Sequence, residues 1–315
     1  MRALVTGGAG FIGSTLVDRL LADGHAVDVV DDLSNGSREN LAEATASAGD
    51  RLVVHEHDVA AGTTAELVAS LRPEVVFHLA AQADVRVSVA DPAHDAEVNL
   101  LGSLHVMDGA RAAGARKVVF ASSGGTIYGA PDGADLPVDE TYPLGPVSPY
   151  GMAKAATGEY LRVYRELYGL DFTALALANV FGPRQDPLGE AGVVAIFAGR
   201  LLAGEACTVY GDGNQTRDFV YVDDVVDAFV RSIDRASGLL LNIGSGEETS
   251  VRDLYDLMAS RAGVEAPPNH EPARAGELAR SALDPGLARR ELGWEPATSL
   301  ADGVDGVLAW FGSRT

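Results

Sequence analysis

Tyr150 and Lys154, four positions apart, carry the clearest chemical signal in the chain. They fall in Ser148-Pro149-Tyr150-Gly151-Met152-Ala153-Lys154, which reads as the start of a helix, and a four-residue separation puts both side chains on one helical face. A phenol is nearly neutral at pH 7, from an ordinary pKa of about 10, but an ammonium beside it favours the phenolate. Tyr150 then becomes a general base able to take a proton from a substrate hydroxyl. Such a site calls for a compact charge on a flexible stem, where a guanidinium would be bulky and planar. Lys117 and Lys154 are the only lysines in the sequence, so the remaining positive charge is arginine and an isolated lysine invites a reason. Alone, a Tyr-x-x-x-Lys pair is frequent and mostly incidental, and its weight comes from what accompanies it.

Thr6-Gly7-Gly8-Ala9-Gly10-Phe11-Ile12-Gly13 sets glycines at 7, 10 and 13, directly after a strand and opening a helix. Glycines there permit a tight turn, close approach of backbone to a pyrophosphate and close helix–strand packing, while the helix N-terminus offers unpaired N–H groups. Asp31 stands 18 residues beyond Gly13 at the end of the second strand, where a carboxylate can accept hydrogen bonds from an adenosine ribose. It disfavours a 2′-phosphate, so NAD is expected rather than NADP, although Arg38 lies nearby. His57-Asp58-Val59 closes the third strand, where it would meet the adenine or be a plain exposed strand end. His55 and His57 read as structural, and none of the seven histidines has metal-ligand spacing. Gly-x-Ser-x-Gly and Gly-x4-Gly-Lys-Ser/Thr are both absent, which weakens hydrolase and NTPase readings.

These groups need a scaffold that brings strand ends together. Strands are predicted at Arg2–Thr6, Ala26–Asp31, Arg51–His57, Val75–Ala80 and Lys117–Ser122, and helices at Phe11–Asp23, Thr64–Arg72 and Val98–Ala113. Alternation of this kind gives an α/β fold, a doubly wound parallel Rossmann sheet that binds ligands at the carboxyl ends of its strands. Beyond about residue 180, Pro and Gly become more frequent, and this half is expected to form a smaller mixed α/β C-terminal substrate domain. The expected division is 1–178 for the cofactor, with 215–243 returning to it, and 179–315 mainly for substrate. Ala266–Gly276 reads as a linker by composition, but it contains Arg274.

Composition narrows the partners. The 315 residues hold 24 Lys+Arg against 45 Asp+Glu, a formal charge of −21, so nucleic acid and anionic membranes are not expected partners. At 47% hydrophobic and 22% charged residues the chain can bury a sizeable core. A single cysteine, Cys207, precludes an internal disulfide, no signal peptide is recognised, and no apolar run approaches the roughly 20 residues that span a bilayer. A soluble, cytoplasmic protein is the expectation.

Thr6–Gly13, Asp31-Asp32-Leu33-Ser34, His78-Leu79-Ala80-Ala81, Asn99, Ser122–Gly129, Tyr150–Lys154, Asn179 and Gly211–Asp224 together resemble the extended short-chain dehydrogenase/reductase family, of the NAD-dependent epimerase/dehydratase type, over nearly the whole chain. Within it the sequence is most similar to bacterial UDP-glucose 4-epimerases. The resemblance implies an NAD site lined by Gly7, Gly10, Phe11, Ile12, Gly13, Asp31, Asp32, Asn35, Gly36, Asp58, Val59, Leu79, Ala80, Ala81, Asn99, Tyr150 and Lys154. From the histidine spacing, no metal is expected. The family usually has Ser or Thr four residues before the Tyr of its Tyr-Gly pair, to help the catalytic Tyr bind the sugar 4-hydroxyl; counting back from Tyr128 gives Gly124. Ser123 and Thr126 flank it, and Ser123 is the first choice for the role.

A UDP-sugar carries a diphosphate that a net-negative protein must hold with local arginines, whose forks match phosphate oxygens. Arg184, Arg217 and Arg274 are the candidates, each with the alternative of pairing a carboxylate such as Asp218 or Glu277. By resemblance Arg217 and Arg274 bind the diphosphate, Asn179 contacts it or the sugar, and Glu277 takes a uridine ribose hydroxyl. The reaction implied is interconversion of UDP-glucose and UDP-galactose, through C4 oxidation by enzyme-bound NAD, rotation of the 4-keto sugar and hydride return to its other face. A 4-epimerase of UDP-glucuronate or UDP-N-acetylglucosamine is the nearest alternative. A dehydratase or decarboxylase fits less well, since Gly124-Gly125-Thr126 lacks the acidic pair of the dehydratases. A non-catalytic NAD sensor would be expected to have lost Tyr150 or Lys154. The family suggests a homodimer through paired helices at Val98–Ala113 and Lys154–Tyr168.

Overall fold

The computed structural model of the protein describes residues 1–187, 192–274 and 278–314. Its first half repeats one unit: β1 (Arg2–Thr6), α1 (Phe11–Ala22), β2 (Ala26–Asp31), α2 (Ala42–Ala48), β3 (Leu52–Glu56), α3 (Thr64–Leu71) and β4 (Val75–His78). After β4 come two short helices, α4 (Val85–Ala90) and α5 (Pro92–Ala96), then a π-helical turn at Glu97–Leu101 that runs into α6 (Gly102–Ala113). β5 (Lys117–Ser123), the one-turn α7 (Gly124–Ile127), the long α8 (Pro149–Tyr168) and β6 (Asp171–Leu177) follow. β1, β2 and β4 are Val- and Ala-rich and buried nearly throughout because helices cover both faces, as in a parallel sheet.

The remaining elements are β7 (Asn179–Phe181), α9 (Val193–Leu202), β8 (Thr208–Tyr210), β9 (Thr216–Arg217), β10 (Phe219–Tyr221), α10 (Val222–Arg231), β11 (Leu239–Ile243), β12 (Thr249–Ser250), α11 (Val251–Ala262), β13 (Asn269–Glu271), α12 (Gly286–Leu292) and α13 (Leu300–Gly312). The main sheet has seven strands in the order β11-β6-β5-β4-β1-β2-β3, every pair parallel. The five expected strands are there, and β6 and β11 extend the sheet on the β5 side. β13 lies inside the stretch that composition marks as linker; it pairs with β8 because Asn269–Glu271 finds an open strand edge.

One face of the sheet is covered by α1, α2, α10 and α12, around Leu16, Phe77, Phe229 and Trp294. The other carries α3, α6 and α8, around Val106, Met107, Phe120 and Leu161. A third apolar cluster, around Phe197, Tyr255, Met258 and Val304, joins α9, α11 and α13 beside the strand ends. The strand order turns at β1, with β4 on one side and β2 on the other, so the loops after β1 and β4 diverge and leave a crevice at the carboxyl end of the sheet. Among the described residues no helix is long and apolar enough to cross a membrane.

Candidate active site

The glycine loop sits in that crevice. Gly7 has φ +69°, and a Cβ there would lie 2.7 Å from the Ala80 amide nitrogen, so the loop after β1 runs against the loop after β4. A Cβ on Gly13 would come within 2.0 Å of the Gly7 carbonyl oxygen, so α1 begins in direct contact with the turn that precedes it. The N-cap of α1 is Gly10, whose lack of a side chain leaves the first-turn N–H groups without a side-chain cap, and no acidic residue stands in that turn. A phosphate is the complement of such a helix start.

Asp31 ends β2 behind this loop. Its Oδ2 accepts the Ala9 N–H at 2.8 Å and its Oδ1 the Leu33 N–H at 2.9 Å, and burial pushes its carboxyl above the ordinary range. The carboxylate thus fastens the glycine loop from below. Arg38, the residue that left room for a 2′-phosphate, forms an ion pair with Glu56 at 2.7 Å.

A cavity of about 1430 Å³ opens above the sheet, larger than the roughly 300–1,000 Å³ usual for one small ligand. Its wall brings together Gly7, Gly10, Phe11, Ile12, Gly13, Asn35, Leu79 and Ala81 with Ser123, Thr126, Tyr150, Lys154, Asn179, Arg184, Arg217 and Arg274. The other expected cofactor residues stand off this wall. Asp31 is held by backbone amides as described, and a Cβ on Gly36 would touch its Oδ1. Asp32 accepts from the Ser34 N–H and hydroxyl within its own turn. Asp58 lines a separate hollow of about 180 Å³ with His94 and Glu97, Val59 is packed into the core, and the Ala80 N–H donates to Thr6 Oγ1. Asn99 is 2% exposed, and its amide is bonded to Gln82 and Asp95. Glu277 lies outside the described residues.

Tyr150 and Lys154 occupy the first two turns of α8. Pro149 fits a first helical position, and Ser148 caps the helix by accepting the Gly151 N–H at 3.1 Å. Lys154 is 3% exposed, donates from Nζ to the Ala121 carbonyl at 3.0 Å, and sits 4.9 Å from the Phe120 ring centroid and 5.6 Å from that of Tyr150. A buried ammonium this close to a phenol acts on it through a low-dielectric medium. Beneath it, His78 is enclosed between Thr6 Oγ1 and Ser103 Oγ, and burial, with the Lys154 charge adding to it, pushes its pKa down to about 3. Ser103 donates its proton to the Asn99 carbonyl, so it must accept from His78 Nε2–H, and the ring is the neutral Nε2–H tautomer.

On the same cavity wall as Tyr150, the end of β5 presents Ser123 and α7 presents Thr126. Thr126 Oγ1 donates to the Ser123 carbonyl at 3.3 Å, which leaves the Ser123 hydroxyl as the better-placed donor to a ligand. A side chain at Gly124, where the family pattern has one, would crowd buried Leu283, whose Cδ1 would lie 2.3 Å from the added Cβ and would have to shift.

The arginines differ among themselves. Arg217 donates to the Thr216 and Leu278 carbonyls at 2.7 and 2.8 Å, an arrangement that fixes its position on the wall. Asp218, its suggested carboxylate alternative, is instead 1% exposed and surrounded by amides of Ser245, Gly246 and Leu283. The Arg274 guanidinium carbon lies over the Tyr210 ring, 3.8 Å from its centroid. Arg184 pairs with Asp18 of α1 at 2.7 Å and is 19% exposed, so its charge is partly balanced before any ligand arrives. Trp310, Phe311 and Arg314 at the end of α13 also reach the wall; the amphipathic pattern of α13 carries no sign of it.

Residues 3–244 match the NAD dependent epimerase/dehydratase family. The chain is 51% identical to a UDP-glucose 4-epimerase of Mycolicibacterium smegmatis, covering all of both chains. A solved UDP-glucose 4-epimerase of Thermotoga maritima with UDP-glucose superposes with a TM-score of 0.95 at 44% identity, over 100% of this chain and 99% of that one. One of Thermus thermophilus, in complex with NAD, gives 0.92 at 41% identity over 100% of both.

Proposed function

Because the chain belongs to the NAD-dependent epimerase/dehydratase family, we propose that it interconverts UDP-glucose and UDP-galactose at C4 with a bound NAD. The observation that carries this reading is the opening of the glycine loop, the Tyr150–Lys154 pair and the candidate arginines Arg184, Arg217 and Arg274 into a single cavity with room for two large ligands. Its full-length likeness to UDP-glucose 4-epimerases supports the choice of sugar. The glycine cradle fits the dinucleotide, since side chains at 7 and 13 would fill the space where the loop must lie.

In this mechanism the NAD supplies a hydride acceptor and, in the return step, a donor at the sugar C4. Tyr150 takes the proton of the 4-hydroxyl and gives it back, and Lys154 keeps the phenolate accessible near neutral pH. Ser123 orients the 4-oxygen toward Tyr150. Arg217 and Arg274 hold the diphosphate while the sugar turns about its link to it, so either face of C4 can be presented. Residues 1–178, with the returning 215–243 segment, carry the cofactor, and 179–315 mainly the substrate.

Separate incubation with UDP-galactose, UDP-N-acetylgalactosamine and UDP-galacturonate without added cofactor, followed by product identification, tests the reading. Conversion of UDP-galactose supports it, and turnover of none refutes it. Ser123→Ala should lower kcat roughly tenfold, the loss of one hydrogen bond to a group that becomes charged, while Thr126→Ala changes it little. The opposite order of effects, measured by steady-state kinetics, would move the hydroxyl role to Thr126.

The protein is further expected to be a cytoplasmic homodimer. Tyr160, Val163, Leu167 and Tyr168 on α8 and Leu101 before α6 are exposed, with Leu167 at 67%, and form an apolar face that a second copy of the same face would cover. Leu167→Glu should convert a dimer to a monomer in light scattering; a wild-type monomer would dispose of the contact.

A further inference from the structure

Asp95 is a buried carboxylate that the mechanism above does not use. It lies on α5, whose N-terminus is capped by Asp91 Oδ1 accepting the His94 N–H, and only 1% of Asp95 is exposed. Its Oδ1 accepts from Gln82 Nε2 at 3.0 Å and from Asn99 Nδ2 at 2.8 Å. Its Oδ2 is fully enclosed and has no hydrogen-bond partner. An enclosed carboxylate with one bare oxygen is stable as an anion only beside a cation. The Asn99 carbonyl, one helical turn on, accepts the hydroxyls of Ser103 and Thr157, and Thr157 stands three residues beyond Lys154 on α8. Asp95 and Lys154 therefore flank the same junction between the π-helical turn and α8.

We propose that Asp95 is the buried counter-charge of Lys154, a positioning residue that sets the pH range in which Tyr150 serves as a base. Burial pushes the Asp95 carboxyl above its ordinary range, and the Gln82 and Asn99 hydrogen bonds, then the Lys154 and His94 charges, pull it only part of the way back. The other charged or titratable groups on the elements packed around it offer less. Asp84 and Arg86 of the α4 start are ion-paired with each other, His78 on β4 is neutral, and Glu159 and Arg162 pair on the exposed side of α8. His94 and Glu97 flank Asp95 on its own segment and line the small hollow by Asp58, and the His94 charge acts on Asp95 less than that of Lys154 does.

The sign follows from Coulomb's law. A negative charge near the pair disfavours tyrosinate and favours the ammonium, so it raises the pKa of both Tyr150 and Lys154. Removing it should lower both. This inference rests on the Tyr150–Lys154 reading but not on the identity of the sugar, so the first measurement needs no turnover: ultraviolet titration of tyrosinate in the NAD-bound protein, taken as the difference between Tyr150 intact and Tyr150→Phe. In an Asp95→Asn background the Tyr150 titration should move down by about 1 pH unit, the lower end of what a close charge produces. Both limbs of the kcat/KM profile should shift the same way, and Asp95→Glu should restore them. A titration and profile unmoved by Asp95→Asn, or a fall in kcat with no pH shift, overturns the proposal. If Asp95→Asn does not fold, Asp95→Ser, which removes the charge with a smaller side chain, should give the same downward shift, and no shift there overturns it equally. Absence of turnover with a normal titration would instead count against the epimerase reading alone.

Discussion

Tyr150→Phe is expected to lose turnover by about 10²- to 10⁴-fold, the range for removing a general acid–base group, while binding of the UDP-sugar changes little. The substitution keeps the ring and its packing at the start of α8 and removes only Oη. Lys154 keeps its bond to the Ala121 carbonyl and its seat beside the Phe120 ring in this variant. A variant with its ligand affinity intact and its kcat lost therefore isolates proton transfer. Lys154→Met should cost a comparable factor, since the two residues act as one base, and the double variant should be little worse than either single one. Steady-state kinetics with calorimetric binding checks this; near-normal turnover of Tyr150→Phe would remove Tyr150 from the mechanism.

The parts of the site that depend on local spacing were legible in the sequence. Gly7, Gly10 and Gly13 mark a turn between a strand and a helix, and Tyr150 and Lys154 share a face wherever a helix contains them. Residues whose role depends on distant neighbours were not. Asn99 matches a family position, yet its amide is bonded to Gln82 and Asp95, contacts that require the loop after β4 to fold back over the π-helical turn. Trp310 and Phe311 reach the cavity only because the third apolar cluster seats α13 beside the strand ends. The scarcity of lysine also proves less selective than it looks. Lys117 is 2% exposed and Lys154 3%, so both lysines are buried. Lys117 Nζ donates to the Arg235 carbonyl at 2.5 Å and lies 3.7 Å from Asp171, which ties the start of β5 to the segment before β11. In an arginine-rich chain, lysine marks the places where a cation must be enclosed, and only the surroundings tell that one of them faces a phenol.

Gly13→Ala tests the other half of the site, and its effect should fall on the cofactor. The added Cβ would stand 2.0 Å from the Gly7 carbonyl oxygen and 2.8 Å from both Gly7 C and Gly8 Cα, all of them backbone atoms with no rotamer to yield. Either the loop or the start of α1 must move. Gly7 cannot retreat toward β4, because it already lies against Ala80, and the loop is fastened from below where Asp31 accepts the Ala9 N–H. The remaining direction is outward, into the space in front of the α1 N-terminus where a pyrophosphate would rest. Affinity for NAD should fall by about 100-fold, or about 2.8 kcal/mol, with loss of any cofactor that accompanies the purified protein. Gly62→Ala supplies the contrast, since a Cβ there meets nothing within 4 Å, and NAD binding should be unchanged. Measured by fluorescence titration of the stripped protein, an unaltered NAD affinity in Gly13→Ala would mean that the glycine loop is a packing device and that the dinucleotide phosphates bind elsewhere.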